Sequence, residues 1–433
     1  MAPWHPGTLA LFFCLLALAA VHPRAQAPAS DVSAGHVQRL IDGAQFKQAI
    51  AFVDSDYDRF VQELITLTEI AAPPFKEQAR GKAFLAMLRR DGLADVEIDA
   101  EGNVMGVRKG SGGAGMLAVL AHLDTVFPEG TDVTVKRQGT KLSAPGVGDD
   151  TRGLAVLLAI VRAMNAAKLQ TAADILFVGN VGEEGEGDLR GVKFLLRKGR
   201  YKDRIRQFIA IDGGDQSTIT HAGVGSLRYR VAFKGPGGHS YGAFGLVNPA
   251  FAMGNAMTKL GRLRVPVEPK TTFNVGVVSG GTSVNSIPSQ VQMDIDLRSE
   301  SCAELKKLND AFLAVVKEAV DEENAARSTR EGRLRADPKP IGDRPCGETP
   351  VASPIVQTTS AVVRAFGLRP SYEVSSTDAN VPMNMGIPAI TIGRGGPGGR
   401  GHSPDEWTDV AKPAATRAIQ VATAIIWAVA GAR

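Results

Sequence analysis

The segment from Met116 to Asp212 opens with MLAVLAHLD (116–124) and continues with GLAVLLAIVRAMNAA (153–167), ADILFVGNV (173–181), a stretch near Val192 to Arg197 that reads as a short helix, and QFIAID (207–212). The first, third and last of these are short apolar runs bounded by turn formers, which reads as buried strands, while the second has the length of a helix. Strand and helix in alternation predict a mostly parallel sheet flanked by helices, so the chain is read as α/β. Near Gly225 the pattern changes to two-residue alternation in LRYRVAF (227–233), TTFNVGVV (271–278) and VQMDIDLR (291–298), interleaved with helical signals at Pro249 to Leu263 and Ala303 to Ala326. That predicts a separate α+β domain. After Gly347 the first pattern returns with AVVRAFG, the strand PAITIG and a closing apolar helix from Pro413 to Ala430. The expected organisation is a larger discontinuous domain at 28–225 and 347–433, interrupted by an inserted domain at 226–346.

The remaining composition sets limits on function. At 433 residues, with 44% hydrophobic and 22% charged residues, the chain is long enough for two or three folded domains. Its 49 basic against 45 acidic residues leave a net charge of only +4, so no strong field draws nucleic acid or anionic membrane. Leu9 to Val21 (LALFFCLLALAAV) is too short to span a bilayer but suits a signal-peptide core, and Ala25-Gln26-Ala27 supplies small residues for cleavage. Residues 1–27 are therefore read as a signal peptide and the chain as exported, periplasmic or secreted, with no stable membrane span. The missing basic n-region and Pro28 after the cut depart from the usual pattern. Cys14 falls in this segment, leaving Cys302 and Cys346 in an oxidising compartment where they could pair. Their separation says nothing about proximity, so two free thiols are the expectation.

The chemistry-bearing residues gather at strand ends. His122 and Asp124 end one strand, Glu183 and Glu184 follow another, Asp212 ends a third, and Asp149 and Asp150 occupy a Gly-rich turn before a helix. His402, in GRGGPGGRGHSPDEW (393–407), follows the last strand of the same sheet. Ligands of open α/β sheets bind beyond the carboxyl ends of the strands. Carboxylates crowded there repel one another unless cations compensate, which points to metal ions. In His122-x-Asp124 the aspartate suits the other imidazole N–H and would fix its tautomer. Consecutive glutamates allow one to bind metal while the other stays free beside an activated water. Taken singly, each of these residues is ordinarily a cap or turn former; the constellation carries the reading.

The series AHLDT, GDDTRG, VGEEGEG, IDGG, GPGGHS, VNSIPSQVQMDIDLR and GHSPDEW resembles the co-catalytic zinc peptidase and acylase family of glutamate carboxypeptidase, tripeptide aminopeptidase (peptidase T), aminoacylase and succinyl-diaminopimelate desuccinylase. The resemblance implies a zinc-exopeptidase-like catalytic domain with an inserted lid and dimerisation domain. It further implies two Zn2+ ions per chain, with Asp149 bridging, His122 and Asp212 on one ion and Glu184 and His402 on the other. Glu183 would be the general base, with Asp124 beside His122. His239 would reach a neighbouring active site across a homodimer, and Asn285 and Arg298 on the lid would contact substrate, a small peptide or N-acyl amino acid. The Asp149–Asp150 peptide is expected to be cis. DDTRG departs from the family, in which lysine often follows the aspartates, while IDGG and GDRP lean toward the tripeptide-aminopeptidase branch.

Two other readings compete. Gly238-His239-Ser240-Tyr241-Gly242 satisfies the G-x-S-x-G nucleophile-elbow pattern, with Asp378 and His402 following in α/β-hydrolase order. However, Pro236-Gly237-Gly238 interrupts the required strand and the next helix signal waits until Asn248-Pro249. The other is an exported, non-catalytic metal- or peptide-binding protein, which the complete set of ligands and base argues against.

Overall fold

The computed structural model describes residues 34–113 and 115–433. The region read as a signal peptide lies outside these residues. A nine-stranded sheet forms the centre, in the order Ala94–Ile98, Val104–Arg108, Asp174–Asn180, Met116–His122, Ile205–Ile211, Ala389–Ile392, Thr218–Gly223 and Gly347–Glu348, with Ser371–Ser375 also paired to Thr218–Gly223. The four strands Asp174–Asn180, Met116–His122, Ile205–Ile211 and Ala389–Ile392 run parallel. Asp174–Asn180 and Met116–His122 are buried along their whole length, which is why they read as continuous apolar runs without alternation.

The helix Thr151–Ala166 is buried from Thr151 to Met164. A helix apolar all round needs cover on every side. It packs on the Met116–His122 strand and is enclosed by Ala44–Ser55, Tyr57–Thr68 and Lys412–Val429. The opposite sheet face is closed by Arg190–Arg197 and Asn380–Asn384, with Leu195, Phe208 and Val381 in that core.

A second sheet is wholly antiparallel, in the order Thr271–Gly280, Gln290–Ser299, Gly225–Lys234 and Arg335–Arg344. Burial alternates along Gln290–Ser299, as one covered face requires. Helices Pro249–Leu260 and Cys302–Ala326 provide the cover over a separate core that includes Phe233, Met293 and Phe312. Arg335–Arg344 has no strand signal because it carries Pro338 and Pro340; it lies at the sheet edge, where prolines are tolerated. A small sheet joins Lys136–Gln138, Lys141–Ser143, Trp407–Asp409 and Gly398–Gly399, tying the C-terminal glycine-rich segment to the region before Asp149. Among the described residues no helix is long and apolar enough to cross a membrane.

The expectation of two free thiols is corrected. Cys302 and Cys346 form a disulfide, because the first turn of the Cys302–Ala326 helix meets the chain just after the Arg335–Arg344 strand. The bridge closes a loop over a sequence separation of 44 residues. Removing both thiols as Cys302→Ser/Cys346→Ser should lower stability by about 2–4 kcal/mol, measured by denaturant unfolding under non-reducing conditions. Coincident unfolding curves would contradict the assigned contribution.

Candidate metal centre

Because the central strands are parallel, their carboxyl ends share one sheet edge and so do the residues that follow them. His122 ends its strand and is buried. Its Nδ1 lies 3.0 Å from the Asp124 backbone carbonyl, which fits an Nδ1–H donor and leaves the Nε2 lone pair facing the Asp149 Oδ1 at 3.2 Å. The expectation that the Asp124 carboxylate holds the ring is thereby corrected. That carboxylate is 3.7 Å from Nδ1 and instead accepts hydrogen bonds from the backbone N–H groups of Glu183 (3.1 Å) and Glu184 (2.8 Å). Asp124 thus orients the glutamate turn, while its carbonyl sets the histidine tautomer.

Asp149 lies between two imidazoles. Its Oδ1 faces His122, and its Oδ2 is 3.2 Å from Nε2 of His402, which is also 2.8 Å from the Glu184 Oε1. The Asp149–Asp150 peptide is cis, as expected. Three backbone donors hold this turn, with Gly146 (2.9 Å), Gly148 (2.8 Å) and Asp149 (2.7 Å) donating to the Glu406 carboxylate. Asp150 is buried and its Oδ2 accepts the His122 backbone N–H at 3.2 Å.

Two guanidiniums reach the cluster. Arg394 follows the Ala389–Ile392 strand and places Nη1 at 2.7 Å from the Asp212 Oδ1, and 3.5 Å from both Asp149 Oδ1 and Asp150 Oδ1. Arg344, at the end of the last strand of the second sheet, donates from Nη1 to the Glu183 Oε1 at 2.9 Å. Its Nη2 also donates to the Glu183 carbonyl.

The electrostatics show a site starved of positive charge. Burial pushes Asp150, Asp212 and Glu183 upward, Glu183 well above the carboxylate range despite Arg344. Burial would also raise Asp149, but hydrogen bonds from both histidines and the Arg394 charge hold it well below that range. Hydrogen bonds to Asp149 and Glu184 push His402 up to about 10. His122 is raised too, the surrounding aspartates outweighing its burial. Each Nε2 therefore faces carboxylate oxygens and needs a proton or a cation between them.

Divalent cations fit this donor set. The ligand atoms of His122, Asp149 and Glu184 lie within 4.8 Å of one another, as do those of His122, Asp150 and Asp212. Imidazole with carboxylate is the chemistry of zinc and its neighbours.

Above the cluster is a cavity of about 520 Å³, lined by Asp149, Glu183, Glu184, Asp212, Arg394 and His402 below, and by Arg228, Arg298 and Arg344 from the second sheet. Arg298 donates to Asp296 at 2.6 Å. His239 and Asn285 lie together elsewhere on the inserted domain and do not line this cavity. The Nδ1 of His239 accepts from the N–H groups of Tyr241 and Gly242 at 3.2 Å, and the Asn285 carbonyl accepts from the Ser240 N–H at 2.9 Å. The nucleophile elbow is not formed: the next helix after Ser240 starts at Pro249, the His402 Nε2 is engaged by Glu184 and Asp149, and Asp378 accepts from Asn180 at 2.7 Å.

Sequence reasoning missed Arg344, Arg394 and the role of Glu406. The position of Arg394 just after PAITIG was its available signal; Glu406 stood inside GHSPDEW with nothing to show that distant backbone groups converge on it. Glu406→Ala strands three buried N–H donors. It should cost about 1–3 kcal/mol in thermal unfolding and weaken metal binding, whereas Glu406→Gln, which keeps an acceptor, should retain part of both.

Comparison with known proteins places this architecture. Acetylornithine deacetylase from Myxococcus xanthus is 28% identical over 315 residues, covering 68% of this chain and 76% of that protein. Carboxypeptidase G2 from Pseudomonas sp. (strain RS-16) is 24% identical over 231 residues, 49% of this chain, and the match spans about half of that enzyme (54%). In fold, the aminopeptidase PepT of Bacillus cereus ATCC 10987 superposes with a TM-score of 0.69 at 20% identity, covering 86% of this chain and 99% of that one. The Bacillus subtilis YXEP protein, a dinuclear metal-binding peptidase, superposes with a TM-score of 0.66 at 16% identity, over 87% of this chain and 98% of that one. The profile of peptidase family M20/M25/M40 matches residues 118–428, taking in every strand end that builds the cluster, and this chain belongs to that family.

Proposed function

We propose that this chain is an exported two-zinc hydrolase that cleaves amide bonds of small peptides or N-acyl amino acids. The observation that carries the reading is the Asp149 carboxylate, which turns one oxygen to His122 and the other to His402. A carboxylate so placed suits a bridge, with His122 and Asp212 completing one ion position and Glu184 and His402 the other. Bound zinc would supply Lewis acidity to the amide carbonyl and bring the pKa of an attacking water toward neutrality.

The residues of the chain supply the rest. Glu183 and Glu184 are consecutive, so their side chains diverge: Glu184 turns to His402 and Glu183 to Arg344. Glu183 is thereby free of the imidazoles and serves as base, taking the proton of the attacking water and passing it to the departing amine. The Arg344 charge opposes the burial that raises Glu183 and so favours its ionised, proton-accepting form. Arg298 faces the cavity as a substrate contact. Asn285 and His239 lie off the cavity of their own chain, which suits action at a partner's site in a dimer formed through the inserted domain. Export is supported by the residue 1–27 pattern and by the Cys302–Cys346 disulfide, since such bonds persist in oxidising compartments.

Chelator-treated protein should lose turnover and regain it with zinc. Glu183→Gln should keep both ions and lose activity by orders of magnitude, whereas Glu184→Gln should lose metal as well. Equal metal loss in the two variants would overturn the assigned roles. The His239 assignment is checked by mixing inactive Glu183→Ala and His239→Ala chains. If His239 acts across the dimer, activity should return to roughly a quarter of wild type after complete exchange. Verified exchange with no recovery would place His239 outside the partner's site.

A further inference from the structure

The two ion positions differ in one respect that the ligand set does not require. Arg344 bonds Glu183, and the remaining arginine contacts on the imidazole–carboxylate cluster, all from Arg394, fall on one side of it. The Arg394 Nη1 is 2.7 Å from Asp212 and 3.5 Å from Asp149 Oδ1, the same Asp149 oxygen that faces His122. Among the described residues, no arginine hydrogen-bonds or ion-pairs with the His402 ring or the Glu184 carboxylate, and the Asp149 oxygen on that side, Oδ2, faces His402.

The sheet fixes this arrangement. Ala389–Ile392 is parallel to Ile205–Ile211, so Asp212 and Arg394 leave adjacent strand ends. Asp212 N–H donates to the Ile392 carbonyl at 3.0 Å, and Arg394 N–H donates to the Gly213 carbonyl at 3.1 Å. Two backbone hydrogen bonds thus hold the two chain segments side by side, and the guanidinium reaches Asp212 through its own hydrogen bond. Arginine cannot yield by losing its proton. An ion coordinated by His122 and Asp212 therefore shares the Asp212 carboxylate with a charged, hydrogen-bonded group and is repelled by it unless that group moves away. Space to move exists, since Arg394 lines both the 520 Å³ cavity and an adjoining one of about 370 Å³.

We infer that Arg394 is a tethered cation that competes with the ion on the His122–Asp212 side, so that the centre fills in order. The Asp149–Glu184–His402 position fills first and tightly; the His122–Asp212 position fills second and more weakly. Arg394 is a positioning residue for metal occupancy, and the second ion binds with the cost of displacing it. This rests on the two-zinc reading above.

The test is zinc titration of chelator-stripped protein against a chromophoric competitor, which reads affinity without turnover. Wild type should show two steps at least tenfold apart. Arg394→Met should tighten the weaker step at least tenfold and leave the tighter one in place, while Arg394→Lys, which keeps a cation there, should preserve the separation. Asp212→Asn should remove the weaker step alone. These last measurements stand even if Arg394→Met fails to fold. Two equal steps in wild type, an unchanged or weakened second step in Arg394→Met, or loss of the tighter step in Asp212→Asn would each overturn the inference. Protein that binds no zinc at all would instead refute the zinc reading on which it rests.

Discussion

Asp149, Asp150, Glu183, Glu184 and Asp212 share one edge of a buried parallel sheet, and like charges at such distances repel strongly. Two unit charges about 4 Å apart interact by roughly 4 kcal/mol at an effective dielectric of 20. Much of the surrounding structure answers this crowding. Among the described residues no backbone N–H donates to the Asp149, Glu184 or Asp212 carboxylates; Asp150 accepts one from His122, and five more are spent on Asp124 and Glu406, which hold the loops that carry the cluster. The ligand carboxylates are left facing imidazoles and guanidiniums. A site built this way has its loops fixed by Asp124 and Glu406, while the charge of the convergent carboxylates is left for cations to balance.

The same division explains the central sheet. Parallel strands that point the same way deliver several residues to one edge without any of them being close in sequence, as His122, Asp212 and Arg394 show. Asp149 and His402 are exceptions, since Asp149 sits in the turn before the Thr151–Ala166 helix and His402 arrives on a glycine-rich loop. The His402 backbone is in the left-handed region at φ 63°. The small sheet around Trp407–Asp409 anchors that loop beside the segment leading to Asp149. The fold thus supplies one half of the cluster through strand ends and the other through a turn and a tethered loop.

What was legible in the sequence follows from which physical signals are local. The buried strands and the Thr151–Ala166 helix were legible because complete burial writes an unbroken apolar run. The convergence of His122, Asp149, Glu184, Asp212 and His402 was legible because strand ends, glycine-rich turns and family motifs mark them. The helices Ala34–Asp42, Ala44–Ser55, Tyr57–Thr68 and Gln78–Arg90 carried half-buried faces and went unread, and the Arg335–Arg344 strand was hidden by two prolines that only an edge position allows. Asp124 shows a subtler limit. Its neighbourhood to His122 was correctly read, but a backbone carbonyl occupies the ring nitrogen and the carboxylate turns elsewhere. The partners of Arg344 and Glu406 are brought close only by tertiary folding, so no local pattern marked them.

The two guanidiniums sort the acidic residues into roles. Glu183 and Glu184 leave the same strand end and are chemically identical, so only their surroundings can separate them. Glu184 meets a histidine nitrogen, which creates a demand for a cation; Glu183 meets Arg344, which satisfies it. A carboxylate already balanced by arginine has less to gain from binding metal and keeps an oxygen for proton transfer. Arg344 comes from the inserted domain, whose Arg228 also donates to the Gly185 carbonyl at 2.9 Å, just past the two glutamates. The inserted domain therefore does more than roof the cavity. By hydrogen-bonding one glutamate and not the other, it gives the two neighbouring carboxylates different partners, Arg344 for Glu183 and the His402 imidazole for Glu184.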